Sequence, residues 1–228
     1  MKQAKKVLLL VLCAVLLVGA SVAGTVAYLT SQDAVTNTFT VGNVQINLDE
    51  ANVATSDPDD RTETGNEYHL LPGQTYVKDP TVTILEGSEE SYVRMLVKVT
   101  NYSNLKAAFP KAKYPTFYDG DNFLLQNLVT GWDDTTWVST KVIAVTDDVA
   151  TYEFRYKETV AGPVENNDEI VDGTKLDALF DEIVIPDSVN NTELANLKNV
   201  QIHVEAQAIQ AAGFETTGAD GVWAAFAN

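Results

Sequence analysis

Cys13, His69 and His203 are the only thiol and the only imidazoles in 228 residues. None of them sits where nucleophilic or zinc chemistry would need it. The two histidines occur in no His-Glu-x-x-His or His-x-x-x-His spacing, so the helical pair of a thermolysin-type zinc site is absent. His203 alternates with Gln201 and Glu205 and reads as an exposed sheet residue. His69, just before Leu70-Leu71-Pro72-Gly73, reads as a loop residue. A single cysteine permits neither an intramolecular disulfide nor a multi-cysteine zinc site. Gly87-Ser88-Glu89 lacks the second glycine of a nucleophile elbow, and no P-loop or dinucleotide fingerprint occurs.

Carboxylates are the one plentiful reactive group. They fall in pairs: Asp59-Asp60, Glu89-Glu90, Asp133-Asp134, Asp147-Asp148, and Asp119 with Asp121. Paired carboxylates can serve glycoside hydrolysis or hold calcium. Asp119-Gly120-Asp121-Asn122 opens like a calcium loop but lacks the later ligands of an EF-hand. Asp119 and Asp121 are therefore the candidate metal ligands, and calcium the only candidate cofactor. With 32 acidic residues in the chain, the other pairs read as solvated surface. Against these stand 15 Lys and Arg, a formal charge of −17. That field repels phosphate backbones and excludes nucleic-acid binding through a basic surface.

The elements that would position these groups begin after an export signal. Lys2, Lys5 and Lys6 precede an unbroken apolar run, Val7–Val18, and then small residues to Ala27. This is the layout of a secretory signal peptide, with Cys13 as an apolar member of its run. Cleavage can follow Ala23 or Ala27, each with a small residue three positions before the cut. An uncleaved anchor is the alternative, although a bilayer core needs about 20 apolar residues. Cleavage after Ala27 leaves 201 residues with a charge of −20 and no cysteine. Such a chain must be held by its core, its partners or bound ions.

Beyond the signal, period-2 alternation dominates and predicts strands. The strongest are Tyr92–Thr100, Tyr152–Lys157 and Val200–Ala208; Phe39–Leu48, Thr81–Leu85, Trp137–Val145 and Glu182–Ile185 are weaker. Val93, Met95, Val97 and Val99 share a face and are expected inward with Val200, Ile202, Val204 and Ala206. Pro72-Gly73, Asp119-Gly120, Asp172-Gly173 and Asp220-Gly221 are predicted turns. Short helices are expected over Thr174–Phe180 (with Thr174 as N-cap), Asn191–Leu197 and Gly221–Phe226. Residues 51–67 read as a solvated loop and 103–135 as an insertion between strands. The expected fold is mainly β: one antiparallel sandwich over 28–228 with a few short helices. Exposed aromatics such as Trp132 and Trp137 would be the contacts if the domain were a carbohydrate-binding adhesin.

Gly24-Thr25-Val26-Ala27-Tyr28-Leu29-Thr30-Ser31-Gln32-Asp33 and Asn37-Thr38-Phe39-Thr40-Val41-Gly42-Asn43-Val44 form a distinctive junction. It resembles the amino terminus of the TasA/camelysin family of exported Gram-positive proteins, whose signals are cut by a SipW-type signal peptidase. Leu71-Pro72-Gly73-Gln74, Lys78–Ile84, Ser91-Tyr92-Val93-Arg94 and Ala206–Ala211 extend the resemblance. It implies cleavage between Ala27 and Tyr28, a jelly-roll sandwich, and assembly with itself or related subunits into extracellular biofilm fibres. It also implies a rival, a calcium-dependent surface metallo-endopeptidase, for which no catalytic residue can be carried over. The segment 28–38 is then either a donor strand for a neighbouring subunit or a flexible tail, and the secreted protein keeps no membrane contact.

Amino-terminal sequencing of the secreted protein is expected to read Tyr28-Leu29-Thr30. Ala27→Phe should block processing, because the peptidase pocket takes small side chains. A start at Gly24, or retention of the full-length chain in the membrane, would contradict this cut.

Overall fold

The computed structural model describes residues 43–57, 59–163, 173–214 and 218–226. All of them belong to one unit, Gly42–Asn228. The signal segment 1–27, the Ala27–Tyr28 junction, the segment 28–38 and the start of the expected strand Phe39–Leu48 lie outside the described residues, as does Asp172.

The strands, in chain order, are β1 (Ile46–Ala51), β2 (Arg61–Thr62), β3 (Thr75–Val77), β4 (Thr81–Ile84), β5 (Ser91–Val99), β6 (Tyr118–Asp119), β7 (Asn122–Phe123), β8 (Val129–Thr130), β9 (Trp137–Thr146), β10 (Val149–Tyr156), β11 (Thr174–Lys175), β12 (Glu182–Val184) and β13 (Ile202–Gln210). Three short helices accompany them: α1 (Tyr102–Ala108), α2 (Asn191–Ala195) and α3 (Gly218–Phe226). The chain is mainly β, and every strand pairing is antiparallel.

Two four-stranded sheets, ordered β11-β4-β1-β2 and β13-β5-β10-β9, carry most of the ladder. Their side chains meet in one hydrophobic cluster, a sandwich-like arrangement. Val82 and Ile84 come from one sheet, and Val93, Met95, Val97, Val99, Tyr152 and Phe154 from the other. The alternation of β5 explains its central place. Val93, Met95, Val97 and Val99 are all 0% exposed, and they face Ala208, Ala206, Val204 and Ile202 across the ladder. The β13 partners are only half-buried, since β13 is an edge of its sheet.

The opposite face of this sheet is not solvated as its polar residues suggest. Arg94 is 9% and Glu153 3% exposed. Helix α3 lies over them, with Trp223 2% exposed and its ring 4.3 Å from the Arg94 guanidinium carbon. Asp220-Gly221, expected as a turn, lies inside this helix.

Thr174–Phe180 is not a helix. Thr174 and Lys175 form β11, paired with Ile84 and Thr83, so Thr174 caps nothing. Leu176, Leu179 and Phe180 carry the i, i+3, i+4 spacing of a helix face and are buried. Their backbone is captured by the neighbouring strand instead: Leu176 N–H donates to Val82 O and Leu179 N–H to Pro80 O. The expectation for Asn191–Leu197 holds as α2, started by a capping box between Asn190 and Glu193.

Residues 102–136 join β5 to β9 with α1, the β6–β7 hairpin, two 3₁₀ turns and β8. Aromatic rings take the place of periodic packing there. Phe109, Tyr114, Phe117, Tyr118 and Phe123 contact one another with centroids 5.4–5.8 Å apart, and they join the main cluster.

The start of α1 is satisfied from outside the helix. Asn101, at φ 50, makes no side-chain cap. Asp148, at the tip of the β9–β10 hairpin, supplies one: its carboxylate accepts from Ser103 N–H at 2.8 Å and Ser103 Oγ at 2.7 Å. Asp147 and Asp148 have φ of 52 and 61, the left-handed pair of a type I′ turn that the right-handed twist of a two-residue hairpin requires.

Val204→Asp should cost about 2–3 kcal/mol, because a half-buried valine becomes a poorly solvated charge. His203→Asp, on the exposed face one position away, should change stability by less than about 0.5 kcal/mol. Urea unfolding of the two variants checks the register, and equal losses would show it wrong. The Ser103 hydroxyl and amide hold the Asp148 carboxyl below its ordinary range. A depressed folded-state pKa stabilises above the unfolded value, about pH 4, and that stabilisation is lost as pH falls through the folded value. Asp148→Asn keeps the left-handed turn but removes the charge, so its stability deficit should shrink between pH 7 and pH 3. A deficit independent of pH would count against the capping role.

Candidate assembly edge

Strand β9 is a long, poorly covered edge. It pairs with β10, and no second strand flanks it among the described residues. The register to β10 slips twice, between Thr151/Tyr152 and between Tyr152/Phe154. Such bulges re-aim an edge strand. Its last residues, Val142–Thr146, are uncharged and rich in β-branched side chains. Ile143 is 49% and Val145 51% exposed, and Val138 near the other end is 41% exposed. An edge strand presents free N–H and C=O groups to solvent, and apolar exposed side chains beside them make it a template for a further strand. The other edge of the sheet, β13, carries His203, Glu205 and Gln207 in alternation and is the more polar of the two.

The acids singled out in the sequence do not pool. Asp119 and Asp121 flank Gly120 in the β6–β7 hairpin, where Gly120 takes φ 59 as the first residue of the two-residue turn. Asp121 reaches Lys111 at 3.3 Å, with the aspartate fully exposed. Asp133 closes its own turn on the Thr135 amide and hydroxyl, which hold its carboxyl below the ordinary range. Asp60 accepts from Asn52, and Asp57 from the Asp59 amide. Glu89 and Glu90 line a shallow groove with Tyr92, Thr159 and Gln210, and Glu90 bonds Thr159. Among the described residues no three His, Cys, Asp or Glu side chains are gathered to hold a metal ion.

The histidines lie where the sequence puts them: His69 exposed in a loop and His203 exposed on β13. The aromatic contacts proposed for an adhesin are occupied. Trp137 is 1% exposed. Trp132 is half-buried, with its indole N–H on Trp137 O at 2.9 Å.

Two polar clusters were not foreseen. On the outer face of β5, Arg94 donates to Glu153 and to Gln207, both at 2.8 Å. Arg155 continues the chain to Glu153 at 3.0 Å and to Asp220 of α3 at 2.5 Å. At the end of β1, Glu50 receives Lys78 Nζ at 2.5 Å and Asn66 Nδ2 at 2.8 Å. Arg61, from the segment expected to be a solvated loop, bonds Asp49 and reaches Asp79 at 2.8 Å. Charge sign alone marks these residues in sequence; only the pairing of distant strands shows that they meet. Among family models, curated proteins and solved structures, none matches this chain.

Proposed function

We propose that this chain is an exported structural protein of the cell surface or biofilm matrix. In this reading it assembles into fibres, each subunit accepting the 28–38 segment of a neighbour along the free side of β9. The observation that supports it is the Val142–Thr146 edge: uncharged, rich in β-branched residues and exposed on a strand with no second partner among the described residues. The signal-like first 27 residues, and the resemblance of the Gly24–Val44 junction to TasA/camelysin proteins, point the same way. A jelly-roll arrangement of the sandwich belongs with this reading. Donor and acceptor are different surfaces, so the contact is head-to-tail and propagates instead of closing.

Ile143→Lys/Val145→Lys should leave the monomer folded, since both side chains are already half in water, and should abolish fibres by charging the edge. Deleting residues 28–38 should do the same from the donor side. Circular dichroism and electron microscopy on the mature chain check both. Fibres of undiminished yield from either variant would overturn the reading.

A further inference from the structure

Lys78, Glu50 and Asn66 stand in the order amine, carboxylate, carboxamide. Lys78 and Glu50 are each 6% exposed. Lys78 Nζ lies 2.5 Å from Glu50 Oε2, and Asn66 Nδ2 donates to Glu50 Oε1 at 2.8 Å. Amine and carboxamide therefore share the two oxygens of one carboxylate, which sets them side by side. The Asn66 amide is fixed at its other points by backbone. Its nitrogen also donates to Ala51 O at 2.8 Å, and its oxygen accepts from Val53 N–H at 2.9 Å. Lys78 is anchored too, its own N–H on Asp181 O at 2.9 Å. The Tyr68 phenol flanks the group and is pushed up by burial and by the charge of Glu50. Burying an ion pair is a weak source of stability, because desolvation consumes most of the Coulombic gain. A buried pair that also clamps a carboxamide calls for a chemical reason.

We propose that this is a self-catalysed cross-linking site, in which Lys78 Nζ and Asn66 Cγ become joined by an amide. Glu50 Oε2 takes a proton from Nζ and frees its lone pair for attack on Cγ. The charge that develops on Oδ1 faces the Val53 N–H, an oxyanion-type donor already in place. Glu50 then gives that proton to Nδ2, takes the second proton from Nζ of the tetrahedral adduct, and hands it to the departing ammonia, which leaves as ammonium. One C–N bond forms and one breaks. The protons lost by Nζ depart with the ammonia, and nothing is oxidised or reduced. Proximity supplies the rate, since both reactants are held on one carboxylate. The product closes a loop between residues 66 and 78, in a chain whose only cysteine, Cys13, precedes the expected cleavage point.

The test is the intact mass of the mature, folded wild-type protein, with fragmentation of its proteolytic peptides. The mass should fall short of the sequence by one ammonia, and a branched peptide should join Asn66 to Lys78. Glu50→Gln and Lys78→Arg should restore the full mass. Asn66→Asp should lose one water instead and keep the branch. Full sequence mass in the folded wild type would overturn the proposal, and the decisive measurement needs no variant to fold. Ammonia loss that persists in Lys78→Arg without a branched peptide, as from an asparagine succinimide elsewhere, would overturn it as well. The readout comes from the monomer, so it is independent of whether fibres form.

Discussion

Strand β5 is the constraint on which the rest of the molecule depends. It pairs along its whole length with β13 and along most of it with β10. Its two faces make incompatible demands on any other register. On one face four residues enter the core with no exposure at all. On the other a continuous chain runs from Arg155 through Glu153, Arg94, Gln207 and Glu205 to Lys98. A slip of one residue would put the arginine and lysine into the apolar cluster and the valines beneath α3. Stranding one partner of such a buried pair costs about 3–5 kcal/mol, more than many domains can spare. Helix α3 closes the arrangement: Trp223 covers Arg94, and Asp220 holds Arg155.

The strong acidity has an internal use. Asp133, Asp147, Asp148 and Asp60 each shape or close a turn, and Asp148 also starts a helix distant from it in sequence. Aspartate suits this work because its short carboxylate reaches nearby amides and the residue tolerates left-handed backbone. In the Asp147-Asp148 pair both residues hold left-handed backbone, and the Asp148 carboxylate is taken up by the start of α1.

Strand identity was legible because alternation in β4, β5, β9, β10 and β12 is local and period 2 is hard to imitate. The inward face of β5 followed directly. Three features were not legible, each for a different reason. Thr174–Phe180 has helical spacing, but β4 offers its amides better partners than its own carbonyls. The 102–136 segment packs by ring contacts among irregular backbone, so no period exists to be read. The outer face of β5 looks solvated because the helix that covers it comes from the far end of the chain. The exposed end of β9 was visible as an apolar strand, but its edge position depends on sheet order, which sequence does not state. The Glu50–Asn66–Lys78 group needed both pairing and loop geometry to assemble.

Charge and edge geometry together limit how such a molecule can associate. A chain with a formal charge of −17 repels its copies at long range, and the repulsion fades beyond about 10 Å at 0.1 M salt. Association by broad face-to-face stacking would bring many of those charges within that distance. Addition of one strand to β9 brings mainly backbone groups together, over a stretch that carries no charge in Val142–Thr146. The Asp147-Asp148 turn ends that stretch, with both residues exposed. A strand running past it would meet two carboxylates, so the turn limits the usable length of the edge at one end, and one slip of the ladder to β10 falls at Ile143, inside the stretch. In the proposed fibre, an edge of that length would suit a short segment such as 28–38 better than edge-to-edge pairing of whole sheets.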